Sequence, residues 1–118
     1  MSAKLLSLKR NEDFKILLKG RKLSNKYLTI FFKNLSVKSN KNLNISFVTQ
    51  KKLGNAVKRN KVKRVLRQIM MQILKISKID LNYSYLFIAK KTIINANFFD
   101  IKETILKEVY MMPITMIL

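Results

Sequence analysis

A single-domain α+β fold, with elements in the order α-β-β-β-α-β-α around a central mixed sheet, is predicted by three observations. The 118 residues, 48% of them apolar, suit one compact core spanning residues 1–118 and are too few for two. From Val62 to Ile76 apolar residues recur three or four apart, the spacing of a long amphipathic helix. Three stretches rich in β-branched and aromatic residues, YLTIFFK (27–33), LNISFVTQ (43–50) and YSYLFIAK (83–90), read as strands.

The elements follow in order. Asn11 is placed to cap a first helix, with Glu12 and Asp13 complementing the dipole in its first turn and Phe14, Leu17 and Leu18 at helical spacing. Gly20 ends it. The first strand covers 27–33. Residues 34–42, with three Asn and two Ser, read as a turn region in which Val37 belongs to a short intervening strand. After the strand at 43–50 the chain turns through KKLG to Asn55, a cap for the long helix of 55–77, whose buried face is expected to hold Val62, Val65, Leu66, Ile69, Ile73 and Ile76. A strand, helix, strand crossover over 43–90 predicts a parallel pair, right-handed by general preference. A last helix, Phe98 to Met112, aligns Phe98, Ile101, Ile105, Val109 and Met112, and Pro113 is expected to stop it.

Charge bounds the function. Lys and Arg number 25 against six acids, a net +19, far beyond what solubility requires. A Lys- and Asn-rich composition (20 Lys, 11 Asn) could arise from drift, but drift does not remove acids in one place. Between Phe14 and Ile79 there are 18 basic residues and no Asp or Glu. Of only five Arg, three (Arg59, Arg64, Arg67) fall in nine consecutive positions, where planar forked donors are required. The partner implied is a polyanion. No Cys excludes disulfides and thiolate metal sites, and no His removes the usual general base, so conventional side-chain hydrolysis is not expected. No apolar run reaches the roughly 18 residues of a membrane span and the start lacks a signal-peptide core, which predicts a cytoplasmic protein without membrane contact.

At 100° per residue the apolar side chains cluster on one side, while Arg59, Lys63 and Arg67 form an i, i+4, i+8 stripe flanked by Asn60 and Arg64. Like charges one turn apart repel, and Lys58 and Arg59 sit near the positive end of the helix dipole. A phosphate backbone relieves both conflicts, since guanidinium forks bind phosphate oxygens in pairs.

The same residues carry a resemblance. KKLGNAVKRNKVKRVLRQ, Lys51 to Gln68, resembles the signature of the bacterial ribonuclease P protein subunit family, with Arg59, Asn60, Lys63, Arg64 and Arg67 in the family's pattern behind its KK, apolar, GNAV lead-in. LKRNEDFKILLKG, Leu8 to Gly20, is similar to the family's first helix, and Tyr85 to Lys91 to the strand after the basic helix. The resemblance implies a left-handed crossover in place of the general preference. It implies an auxiliary protein for a catalytic RNA that removes the 5′ leader of precursor tRNA with Mg²⁺, the polypeptide supplying no nucleophile and no metal site. Its partners would be the RNA subunit and precursor tRNA, with no obligate protein partner. Lys52, Arg59, Asn60, Lys63, Arg64 and Arg67 would contact the RNA subunit. Phe14 on the first helix, with Thr29, Phe31 and Lys33 on one strand face, would line a cleft for the single-stranded leader. The family often has a second aromatic one turn after the first, where this chain has Leu18, and the apolar end VYMMPITMIL departs from the family's Lys-rich ending.

Two other readings compete. A small ribosomal-type RNA-binding protein would share the charge and size without the helix signature. A peripheral membrane protein would need large apolar residues beside the charges, and here the apolar stripe is needed for the core.

Overall fold

The computed structural model describes residues 3–8, 10–34, 41–76 and 79–117, with side chains as far as Val109. Among these residues five strands, β1 (Leu5–Leu6), β2 (Arg21–Ser24), β3 (Leu28–Lys33), β4 (Leu43–Val48) and β5 (Ser84–Ala89), form one sheet in the order β1-β4-β5-β3-β2. β1 runs parallel to β4 and β4 parallel to β5, whereas β5, β3 and β2 are successively antiparallel, so the sheet is mixed as expected. Helices α1 (Asn11–Leu17), α2 (Ala56–Lys75) and α3 (Phe98–Ile117) complete the domain, α2 bridging the parallel pair β4 and β5.

Period-two alternation divides the sheet into two faces. Leu28, Ile30 and Phe32 of β3, Leu43 and Ile45 of β4, and Tyr85 and Phe87 of β5 share the main core with Leu66, Ile69 and Ile73 of α2 and Ile101, Ile105 and Val109 of α3. The opposite face is covered by α1, with Leu8, Leu17 and Leu86 buried and Phe14, Phe31, Val48 and Ile88 half-buried around them. Rings interlock inside the main core, Phe32 lying 6.3 Å from Tyr85 and Phe47 meeting Phe87 edge-on at 5.8 Å. The Tyr85 hydroxyl donates to the Asp80 carbonyl at 2.6 Å, and burial, reinforced by Asp80 and Tyr83, pushes its phenol above the ordinary range, so it stays neutral.

Several expectations need correction. The residue capping α1 is Arg10, which makes no side-chain cap bond but pairs with Glu12; Asn11 is already helical. Leu18 is half exposed, beyond the stripe that Leu17 buries. On α2, Ile76 is exposed and lies past the last helical residue, while Met70 is buried in the stripe instead. α3 continues through Pro113 to Ile117: a proline removes one main-chain donor without necessarily ending a helix. The intervening strand placed near Val37 lies outside the described residues. Two strands were not anticipated, β1 because two residues make no pattern, and β2 because RKLS is an edge strand written in charged side chains.

Both glycines have a steric role. Gly54 takes φ +143, which side chains rarely adopt, as the chain turns from the 3₁₀ segment Lys51–Leu53 towards α2. At Gly20 an added Cβ would sit 2.8 Å from the Phe32 carbonyl, so glycine is needed where the chain leaves α1 against β3.

Leu66 is fully buried in the α2 stripe. Leu66→Ala should lower unfolding free energy in urea by about 2–5 kcal/mol; a loss under about 1 kcal/mol would mean that α2 is not seated on the sheet as described.

Candidate nucleic-acid interface

The interface starts with how α2 is set. Asn55 accepts from the Lys58 amide at 3.0 Å, and its own carbonyl takes the Arg59 amide at 3.0 Å, so the expected cap is present. With the helix seated through Val62, Leu66, Ile69, Met70 and Ile73, the opposite arc faces outward by geometry alone. Asn60, Lys63, Arg64 and Arg67 are exposed, and Arg59 is half-buried at the edge of the arc. Arg59 to Arg67 spans about 12 Å along the axis at the helical rise.

No cation of α2 from Lys58 to Arg67 forms an ion pair among the described residues. The Nε of Arg59 is buried with no hydrogen-bond partner among the described residues. The arc therefore carries several positive charges without internal compensation, in a chain whose net charge is +19.

Beside this arc lies a groove of about 450 Å³. Lys63, Arg64 and Arg67 form one wall, Phe14 of α1 another, and Phe47 and Val48 of β4 the floor. The N-terminal segment is tied to that floor by two bonds, the Leu8 amide donating to Ser46 Oγ at 2.9 Å and the Ser46 hydroxyl donating back to the Leu8 carbonyl at 3.2 Å. Phe14 of the expected aromatic cleft and Lys63, Arg64 and Arg67 of the basic stripe, separate in the sequence reading, thus line one groove over the edge of β4.

The other residues singled out in the sequence are placed as follows. Phe31 is half-buried in the cluster beneath α1, opposite Leu86 on β5, with Lys22 Nζ 5.9 Å from its ring centre. Thr29 and Lys33 share its sheet face, as period two requires, and none of the three lines the groove. Lys33 instead borders a separate hollow of about 380 Å³ with Lys19, Arg21 and Tyr83. Lys52 is exposed on the 3₁₀ turn before α2 and does not line the groove. Phe47 and Val48 were not singled out. Their strand was legible, but nothing in the sequence says that the β1 pairing stops at Leu43 and Asn44, short of Phe47 and Val48. No group of three His, Cys, Asp or Glu side chains converges to hold a metal among the described residues.

A small α+β domain with an uncompensated cationic helix, and an aromatic-walled groove beside it, is by class an RNA-binding protein. The Ribonuclease P family model matches residues 3–112. The ribonuclease P protein component of Listeria monocytogenes is 30% identical over 100 residues, which cover 84% of this chain and 81% of the relative. That of Alkaliphilus metalliredigens is 33% identical over 100 residues, 84% of this chain and 86% of the relative. Among solved structures, a Staphylococcus aureus RNase P protein superposes with a TM-score of 0.71 at 29% identity, covering 91% of this chain and 94% of that one. The RNase P protein from Thermotoga maritima gives 0.75 at 24% identity, covering 89% and 96%, and attests the fold. The chain belongs to the ribonuclease P protein family. It is therefore a protein component of ribonuclease P, a tRNA-processing enzyme, and the ribosomal-type alternative falls away.

Because Arg64 and Arg67 are exposed, their removal should cost little stability. Arg64→Ala and Arg67→Ala should each lower the salt slope of RNA-subunit binding by roughly 1 and leave unfolding free energy within about 0.5 kcal/mol. A lower melting temperature with unchanged RNA affinity would contradict this assignment.

Proposed function

We propose that the chain, folded as one RNA-binding domain over residues 1–118, holds the catalytic RNA subunit with its cationic helix and the single-stranded 5′ leader of precursor tRNA with its groove. The observation that carries the reading is the meeting of Phe14 with Lys63, Arg64 and Arg67 in one cavity. A single strand needs both surfaces: cations for its backbone and an aromatic face for its bases, without sequence readout. Arg59 and Asn60 extend the contact towards the N-terminus of α2, and Lys52 adds a charge before it. Their preference would be for phosphate position and RNA shape.

Phe31 contributes through packing. It supports Phe14 from the sheet, while Lys22 over its ring offers a further cation to the strand. Thr29 and Lys33 mark a continuation of the leader's path across the same face, towards the hollow that Lys33 shares with Lys19 and Arg21. Leu18, where the family often has an aromatic, offers an exposed aliphatic surface and no ring for stacking.

The bond cleavage belongs to the RNA. The chain's six acids are Glu12, Asp13, Asp80, Asp100, Glu103 and Glu108, and none lies in the basic stretch. Mg²⁺ is thus assigned to the RNA subunit, where it would supply the activated water and stabilise charge on phosphate oxygens. The protein's share is electrostatic: by neutralising phosphates it lowers the divalent concentration at which RNA and substrate associate. A cytoplasmic location fits this role, and no helix among the described residues is long and apolar enough to cross a membrane.

The test is cleavage of precursor tRNA by ribonuclease P RNA at low Mg²⁺. Adding the chain should restore cleavage, and Phe14→Ala should weaken binding of leader-bearing precursor by about 5- to 100-fold, the worth of one stacked base, with little effect on mature tRNA. Equal losses for both substrates would place Phe14 in a purely structural role, and no stimulation of the RNA would overturn the reading.

A further inference from the structure

The exposed arc of α2 has two edges, and only one borders the groove. At 100° per residue the arc runs from Lys63 and Arg67 through Asn60 and Arg64 to Lys61. Beyond Lys61 lies a second, smaller hollow of about 260 Å³, enclosed by α2, the 3₁₀ segment Lys91–Asn95 and the first turn of α3. Val65, Ile94, Ala96 and Ile101 line it, Phe98 stands half-buried at its side, and Lys61 forms the lip. The neighbouring Phe99 is 67% exposed. No ion pair engages Lys61 among the described residues.

The hollow is smaller than the roughly 300 Å³ at which cavities begin to take drug-sized ligands. Its walls are apolar except for Asn97, its flank is aromatic, and its one cation is continuous with the stripe assigned to the RNA backbone. That combination suits a single planar heterocycle attached to a phosphate. RNA-binding proteins commonly receive unstacked bases against aromatic side chains while the backbone is held by cations. We propose that this hollow takes one unpaired nucleobase of the bound RNA, turned out of its stack, with the adjoining phosphate on Lys61. The inference rests on the reading that α2 grips RNA, and it adds a second contact on the far side of the helix from the leader groove. A second copy of the chain or an apolar peptide would need no phosphate-binding lip.

Methyl NMR on the full chain separates base from phosphate. Adenosine monophosphate should shift the methyl signals of Val65, Ile94 and Ile101, and ribose 5-phosphate should shift them several-fold less. Ala96→Leu, which fills the hollow, should abolish those shifts, with unchanged Ile45 and Ile73 signals showing that the core is intact. It should also weaken binding to the ribonuclease P RNA subunit by about fivefold or more, the effect of losing one stacked base. Should Ala96→Leu fail to fold, Lys61→Gln, at an exposed position, should lower the same affinity about threefold. Equal shifts with both ligands, or none at these methyls, would overturn the proposal. Shifts confined to Val48 and Ile88, beside the groove, would overturn it while leaving the leader-binding reading intact. Failure of the wild-type chain to bind the RNA subunit would instead remove the reading on which it rests.

Discussion

One constraint organises this protein: α2 must bury one stripe in the sheet and, in doing so, turns a row of like charges towards solvent. The stripe of Val62, Leu66, Ile69, Met70 and Ile73 is held by the main core. Burial of such side chains contributes about 1.5–3 kcal/mol each, which outweighs like-charge repulsion of a few tenths of a kcal/mol per pair on the other side. The repulsion therefore persists in the folded state, and a bound anion would relieve it. On the proposed reading, stability and binding fall to different sides of one helix, so each should be alterable without the other.

The short helix α1 completes the arrangement from the other face of the sheet. Leu17 is buried beneath it, while Phe14 stays half-exposed and reaches the groove. The Leu8–Ser46 hydrogen bonds hold the N-terminal segment against β4, which keeps Phe14 opposite the α2 cations. On the proposed reading, affinity for RNA backbone and a stacking face for unpaired bases come from different elements that converge at one sheet edge. This suits a protein that positions RNA for chemistry performed by RNA.

Much of this was legible in the sequence, and the gaps have physical causes. Periodicity located α2, because its stripe is continuous and its cap is Asn55; the three apolar strands were found because β-branched and aromatic residues dominate them. β1 and β2 escaped, since a two-residue strand has no period and an edge strand made of Arg, Lys and Ser looks like surface. Proline was read as a stop for α3, yet the helix passes through Pro113. The cationic stripe was visible as composition, whereas its meeting with Phe14 was not. That meeting depends on the order of strands in the sheet, and on the β1 pairing with β4 stopping at Asn44.

The most direct measurement is site-specific photocrosslinking of the assembled complex with ribonuclease P RNA. A photoreactive side chain at Asn60, within the cationic arc, should crosslink efficiently to the RNA subunit. The same group at Lys107, exposed on α3 where Lys102 and Glu103, Lys107 and Glu108 mix both signs, should crosslink weakly. Equal or stronger crosslinking from Lys107 would contradict the claim that the uncompensated face of α2 is what grips the RNA.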